Sequence, residues 1–161
     1  MSVRDRDINI TPSILDRLID LDPRSSNEAP KSRLAGIADL KSSVRRDLEW
    51  LLNSRRVIGE IDERLEEVPR SLAIYGLPDF TGIGAKNPNE QARMIGAIEE
   101  AIEIFEPRFR DVVVTLEPIS LVDKQLTFRI AANLDIEPTP EPVVFDTFMQ
   151  FGSGEIKVRE A

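Results

Sequence analysis

The chain has 161 residues, of which 41% are hydrophobic and 31% charged, and its net charge is −8. This is a globular composition of about one domain's length, enough to bury a core without covalent staples. It contains no cysteine and no histidine, which excludes a disulfide framework, thiolate and imidazole metal sites, a cysteine nucleophile and a Ser-His-Asp triad.

Chemistry based on carboxylates alone, or on a Ser-Lys pair, remains open. The first fifty residues are balanced in charge, and the acidic surplus lies further along the chain. Such a balance argues against nucleic acid, whose binding rests on neutralised phosphates. The opening MSVRDRDINITPSILDRLIDLD has no apolar run of signal-peptide type, and no window approaches the roughly 20 apolar residues of a membrane span. The expected location is the cytoplasm.

Thr11-Pro12 predicts the start of a short helix, with Thr11 as cap, Pro12 in the first position and an apolar stripe of Ile14, Leu15, Leu18 and Ile19. Asp22-Pro23 ends it. Residues 22–33, DPRSSNEAPKSR, read as an exposed linker. Two arrangements fit residues 1–33: a tethered helix that docks elsewhere, or an arm docked on its own domain.

Ile37, Leu40, Val44, Leu48 and Leu51 recur at steps of three and four and predict a strong helix ending near Asn53-Ser54. Lys41, Arg45, Arg46 and Glu49 occupy its polar face. Arg55-Arg56 suit the negative end of its dipole. Trp50 reads as a core or interface residue. Ile58, Ile61 and Leu65 suggest a short helix stopped by Pro69. Leu72, Ala73 and Tyr75 add a turn capped by Gly76, and Tyr75 to Phe80 form a compact loop. TGIGAK, residues 81–86, lacks Walker spacing and reads as a turn.

Asn87-Pro88-Asn89-Glu90 predicts a second strong helix, capped by Asn87 and completed by Glu90 as a capping box. Met94, Ile98, Ile102 and Phe105 form its stripe, and Pro107 ends it.

From Phe109 the period changes to two. Val112, Val114 and Leu116 make one strand. Leu126, Phe128, Ile130, Ala132 and Leu134 make the next, with a turn at Asp123-Lys124. Residues 137–142, EPTPEP, read as a stiff extended connector. Val143, Phe145 and Thr147 begin a third strand. A turn over Phe151-Gly152-Ser153-Gly154 leads to a fourth, with Ile156 and Val158 on one face. The predicted fold class is α+β, with helices first and then packed on one face of a small antiparallel sheet of three or four strands.

Arg45, Arg46, Arg55 and Arg56 are candidates for binding a phosphate or an acidic partner, or else a solvated helix face. Glu106-Pro107-Arg108 holds opposite charges across a bend fixed by proline. It is either a rigid contact surface or a local ion pair. Glu106 with Asp111, or Glu103 with Glu106, has the residue types of a glycosidase pair, but one Trp and one Tyr leave little aromatic platform for a sugar. Asp146-Thr147 suggests no catalysis. The last strand, Glu155, Ile156, Lys157, Val158 and Arg159, is blunted by its charges or open to a partner's strand.

Four blocks of this chain resemble the TssE family of type VI secretion systems. They are Ser43 to Arg56 (SVRRDLEWLLNSRR), Tyr75 to Phe80 (YGLPDF), Phe105 to Arg108 (FEPR), and Val144 to Thr147 with Ser153-Gly154. The third is shared with the lysozyme-like baseplate wedge proteins of contractile-tailed bacteriophages. The blocks fall within residues 34–159, so residues 1–33 stay as read above, a short helix and linker, and residues 34–161 form the expected wedge domain. The resemblance implies a non-enzymatic baseplate subunit with no cofactor or metal, working beside TssF, TssG and TssK at the cytoplasmic face of the inner membrane. Such a subunit would exchange strands with the first ring of TssB/TssC sheath subunits.

The implied partner-binding set is Glu106, Pro107, Arg108, Arg45, Arg46, Arg55, Arg56, Tyr75, Asp79 and Phe80. The implied strand-exchange segment is Glu155 to Arg159. Residues 57–71 match no block. The alternative reading is a muramidase-type hydrolase with Glu106 as general acid. A further one is an acidic regulatory domain that docks through its N-terminal helix.

Overall fold

The computed structural model describes residues 10, 12–19, 24, 33–56, 64–80, 87–117, 125–150 and 152–161. The predicted Thr11 cap, most of the 22–33 linker, the Ile58–Ile61 helix, TGIGAK, the Asp123-Lys124 turn and Phe151 lie outside these residues. Helix α1 spans Ile14–Leu18, α2 Arg33–Asn53 and α3 Pro88–Phe105. Strands β1 (Phe109–Leu116), β2 (Gln125–Leu134), β3 (Glu141–Gln150) and β4 (Ile156–Glu160) follow. They form one antiparallel meander in the order β1-β2-β3-β4. The predicted α+β class holds, and of the three or four strands expected the sheet has four.

Both long helices form where the period of their apolar residues puts one stripe inward. Val44, Leu48, Leu51 and Leu52 of α2 meet Met94, Ile98, Ala101 and Ile102 of α3 over one face of the sheet. Phe128, Ile130, Leu134, Phe145 and Val158 complete this core. Truncating Phe128 or Phe145, both fully buried, costs about 3–5 kcal/mol. α2 lies along β4 and α3 along β1. The opposite face of the sheet carries Val113, Arg129, Lys157 and Arg159, all exposed.

Several local expectations change. The cap of α1 is Ser13, whose hydroxyl accepts from Asp16 N–H (3.1 Å) while the Asp16 carboxylate accepts from Ser13 N–H (3.2 Å). This reciprocal box starts the helix after Pro12 rather than at it. The stripe of α1 is not buried: Ile14 and Leu18 are 75% and 76% exposed. Trp50 is exposed too, with the Arg46 guanidinium 5.1 Å from its ring centre. Pro69 sits inside a 3-10 turn, Val68–Arg70, followed by a second, Leu72–Ile74. The EPTPEP stretch is not an extended connector. Leu134 pairs with Glu141, so residues 135–140 close a tight hairpin, helped by the bond from Ile136 N–H to Leu134 O (2.9 Å). β1 also contains a bulge between Arg110 and Val113, with Asp111 at φ 54°.

Gly76 is required where it stands. Its φ is +101°, and a Cβ there would lie 2.3 Å from the Ser54 carbonyl oxygen. That approach lets Leu77 N–H donate to Ser54 O and Arg56 N–H to Leu77 O, each at 2.8 Å. Residues 75–80 are thereby fastened to the end of α2.

Candidate functional site

The turn after α3 builds the first part of the site. Glu106 closes the helix by donating its N–H to Ile102 O (2.9 Å), and Phe109 N–H returns to Glu106 O (3.0 Å). Proline between them shapes a turn short enough for Arg108 to reach back. Arg108 donates through Nε and Nη2 to the two carboxylate oxygens of Glu106, both at 2.6 Å. Arg108 Nη2 also donates to Asp47 Oδ2 on α2 (2.7 Å). Asp47 accepts two bonds from Arg46, at 2.9 and 2.7 Å, and Arg46 reaches Asp16 of α1 at 2.9 Å. Ser43 donates to Asp16 at 2.5 Å and lies 3.4 Å from Arg108 Nη1.

The result is a chain of alternating charge: Asp16, Arg46, Asp47, Arg108, Glu106. It joins α1, α2, the end of α3 and the start of β1. Its electrostatics follow from that order. Burial disfavours the charged Arg108, but the bonds and charges of Glu106 and Asp47 outweigh this and raise its pKa. Arg46 is raised in the same way: burial opposes its charge, and Asp47 and Asp16 prevail. Burial raises the Asp16 carboxyl, yet the hydroxyls of Ser13 and Ser43 and the Arg46 guanidinium bring it down from 3.8 to about 2. Tyr75 packs edge-on to Phe105 at 5.1 Å. Burial raises its phenol pKa, with the carboxylates of Asp47 and Glu106 adding to the rise.

Glu106 is 5% exposed at its side chain and Pro107 is exposed. Glu106 is therefore shielded behind Arg108, and the solvent-facing parts of the turn are Pro107 and the rim of Arg108. The same geometry gives the hydrolase alternative no support. Both oxygens of Glu106 accept from the Arg108 guanidinium and the side chain is buried, so neither oxygen faces a substrate. Among the described residues, no group of three or more acidic side chains is placed to hold a metal.

The structure brings Glu106, Pro107, Arg108, Arg46 and Tyr75 together. It does not gather the four arginines into one patch. Arg46 belongs to the charge chain. Arg55 pairs with Asp79 and reaches Ser153 O (3.3 Å). Arg56 is bound through its backbone to Leu77. Phe80 lines a small cleft with Leu52, Leu77, Met149 and Ile156.

Arg45 faces the fourth strand, where the second part of the site lies. The register of β3 and β4, with Ala161 N–H on Val144 O and Gln150 N–H on Glu155 O, turns the backbone groups of Ile156 and Val158 outward. These groups are taken by α2. Asn53 accepts from Ile156 N–H (2.9 Å) and donates to Ile156 O (2.7 Å). Glu49 accepts from Val158 N–H (3.1 Å), and Arg45 Nη1 lies 3.5 Å from Val158 O. Lys41, one turn further, pairs with Glu141 at 3.0 Å and Glu160 at 3.8 Å. The expectation that the strand's own charges blunt this edge needs correcting, because side chains of α2 do so. At the opposite edge, Glu99 of α3 accepts from Val114 N–H (2.9 Å) beside the bulge.

Sequence reasoning missed Asp16, Ser43, Asp47, Glu49, Asn53 and Glu99 as partners. For the α2 row the signal was present, since Lys41, Arg45, Glu49 and Asn53 recur at four-residue steps beside the apolar stripe.

The described residues thus form a helix-roofed antiparallel sheet whose charged side chains join its elements. No curated protein matches the chain. The family model described as "Baseplate wedge protein gp25" matches residues 38–139, well over half of the chain. The protein belongs to this family, which includes the TssE proteins of type VI baseplates, and its role is that of a structural baseplate component. The matched span holds α3, β1, β2, the Glu106–Arg108 turn and all of α2 from Ala38 onward; β3 and β4 lie beyond it.

Proposed function

We propose that this protein is the type VI baseplate subunit that joins the TssF/TssG wedge, with TssK, to the first TssB/TssC sheath ring. It works without catalysis, at the cytoplasmic face of the inner membrane. Among the described residues no helix is long and apolar enough to cross a membrane. The observation that carries the reading is the family match across the Glu106–Arg108 turn, where a buried carboxylate sets the pose of a partly exposed guanidinium. Pro107 and the rim of Arg108, with Tyr75 beneath, form the wedge contact. The backbone rim of β4 forms the sheath contact and templates assembly by strand exchange.

Co-expression with TssF and TssG tests the assignment. The wild-type chain should co-purify with both. The Glu106→Ala/Arg108→Ala double variant should keep its far-ultraviolet spectrum and lose most of that recovery. Equal recovery of the folded double variant contradicts the role of the turn, and failure of the wild type to co-purify contradicts the baseplate reading itself.

A further inference from the structure

The side-chain row on α2 matches the edge that it covers. Four residues of helix advance about 6 Å, and two residues of strand advance about 6.6–6.8 Å. α2 runs antiparallel to β4, so Asn53 and Glu49, one step apart, meet Ile156 and Val158, while the longer Arg45 and Lys41 reach back to Val158 O and the Glu160 carboxylate. The row stands in for a missing strand. Its members differ from the blunting device at the other edge. The bulge of β1, with Asp111 at φ 54°, belongs to the backbone and cannot be swung away. Arg45, Glu49 and Asn53 are long or exposed side chains that leave by rotating.

From this we infer that β4 is a latched edge whose intended occupant is an extended segment alternating apolar and acidic residues. The inference rests on the strand-exchange reading and names the chemistry of the strand. An added strand replaces the side-chain bonds at Ile156 and Val158 one for one with backbone bonds. Its outward side chains then stand beside Lys157 and Arg159, the exposed members of β4. Opposite charges are favoured at such cross-strand positions and like charges are not. Arg159 already lies over Phe148 at 5.3 Å, and Arg129 holds Asp146 at 2.9 Å, so the nearest carboxylate on β3 is engaged and Arg159 still calls for an acid. Lys157 has Glu155 at 3.6 Å, exposed on both sides of the pair, a contact that an incoming acid readily shares. The inward side chains stand beside Ile156 and Val158, both buried. There the cleft of Leu52, Leu77, Phe80 and Met149 opens past Asn53, and an apolar side chain fits it once Asn53 turns aside. The latch keeps this edge from pairing with unrelated strands.

Two octapeptides test the inference, one alternating valine with glutamate and one alternating valine with lysine. Each is titrated into the full chain and followed by the amide signals of Ile156 and Val158. The valine–glutamate peptide should bind, and Glu49→Ala/Asn53→Ala, which removes three competing hydrogen bonds, should tighten it by at least about tenfold. The valine–lysine peptide should bind at least about tenfold more weakly, and Lys157→Glu/Arg159→Glu should reverse the preference. Hydrogen exchange at Ile156 and Val158 should accelerate in the unlatched variant without peptide. Equal binding of the two peptides overturns the acidic assignment, and an unlatched variant with unchanged exchange and affinity overturns the latch. Absence of binding by either peptide overturns the inference, while sheath seeding that still depends on β4 would leave the strand-exchange reading intact.

Discussion

Replacing Arg108 by alanine tests whether the charge chain holds the fold together. Glu106 is 5% exposed, Arg108 26% and Asp47 23% at their side chains. Arg108→Ala strands the Glu106 carboxylate without its two bonds and removes one of the partners of Asp47. Removing one member of a buried pair costs about 3–5 kcal/mol, and the partial exposure of two members lowers this to about 2–4 kcal/mol. At this chain length that corresponds to a fall in Tm of roughly 5–15 °C. Glu106→Ala/Arg108→Ala leaves no stranded buried charge, since Asp47 keeps Arg46. Its cost should therefore be smaller than the sum of the single costs by at least about 1 kcal/mol. Urea unfolding of wild type, both single variants and the double variant closes the cycle. A loss below about 1 kcal/mol for Arg108→Ala, or strict additivity, would mean that the chain is a set of ordinary surface pairs, and the reasoning would fail.

Three other outcomes follow from single observations. Asp16 titrates at about 2 in the docked state against 3.8 free. Its contribution, about 1–2 kcal/mol after screening, is thus complete above about pH 4 and lost as pH falls towards 2. Trp50 fluorescence, reporting through Arg46, should change over that window, and Asp16→Asn should show the low-pH signal at neutral pH; an identical acid titration in both proteins refutes this. Gly76→Ala forces a side chain into φ +101° and against Ser54 O, and should cost about 2–4 kcal/mol, read as a lower denaturation midpoint. Thr147 Oγ1 is buried with no hydrogen-bond partner among the described residues, so Thr147→Val should raise stability by about 1 kcal/mol, and a loss would show that the hydroxyl is satisfied in solution.

The elements legible in the sequence are those set by one chain's own periodicity. The stripes of α2 and α3 and the alternation of β2 and β3 need no knowledge of neighbours, because burying one face is enough to choose the element. The start of α1 was also written locally, as Ser13 with Asp16 three residues on, but Thr11-Pro12 offered a competing signal. EPTPEP misled because proline content suggests extension, while the turn is dictated by pairing of Leu134 with Glu141. The Glu106-Pro107-Arg108 turn stood out as a candidate, yet its burial and its link to Asp47 depend on how α2 crosses the end of α3. For the same reason Glu49 read only as part of a polar face and Asn53 only as a helix end: their partners are backbone groups about a hundred residues away.

The claim that the rim of β4 is the working part is tested most directly by proline at its outward amides. Val158 N–H and Glu160 N–H point away from β3, so Val158→Pro and Glu160→Pro remove donors from the rim while sparing the bonds that hold β4 in the sheet. Purified TssB/TssC is polymerised with each chain as seed, and the lag is read by light scattering. Wild type should shorten the lag, and proline variants whose thermal unfolding remains cooperative should not. Folded proline variants that seed as well as wild type would contradict the account.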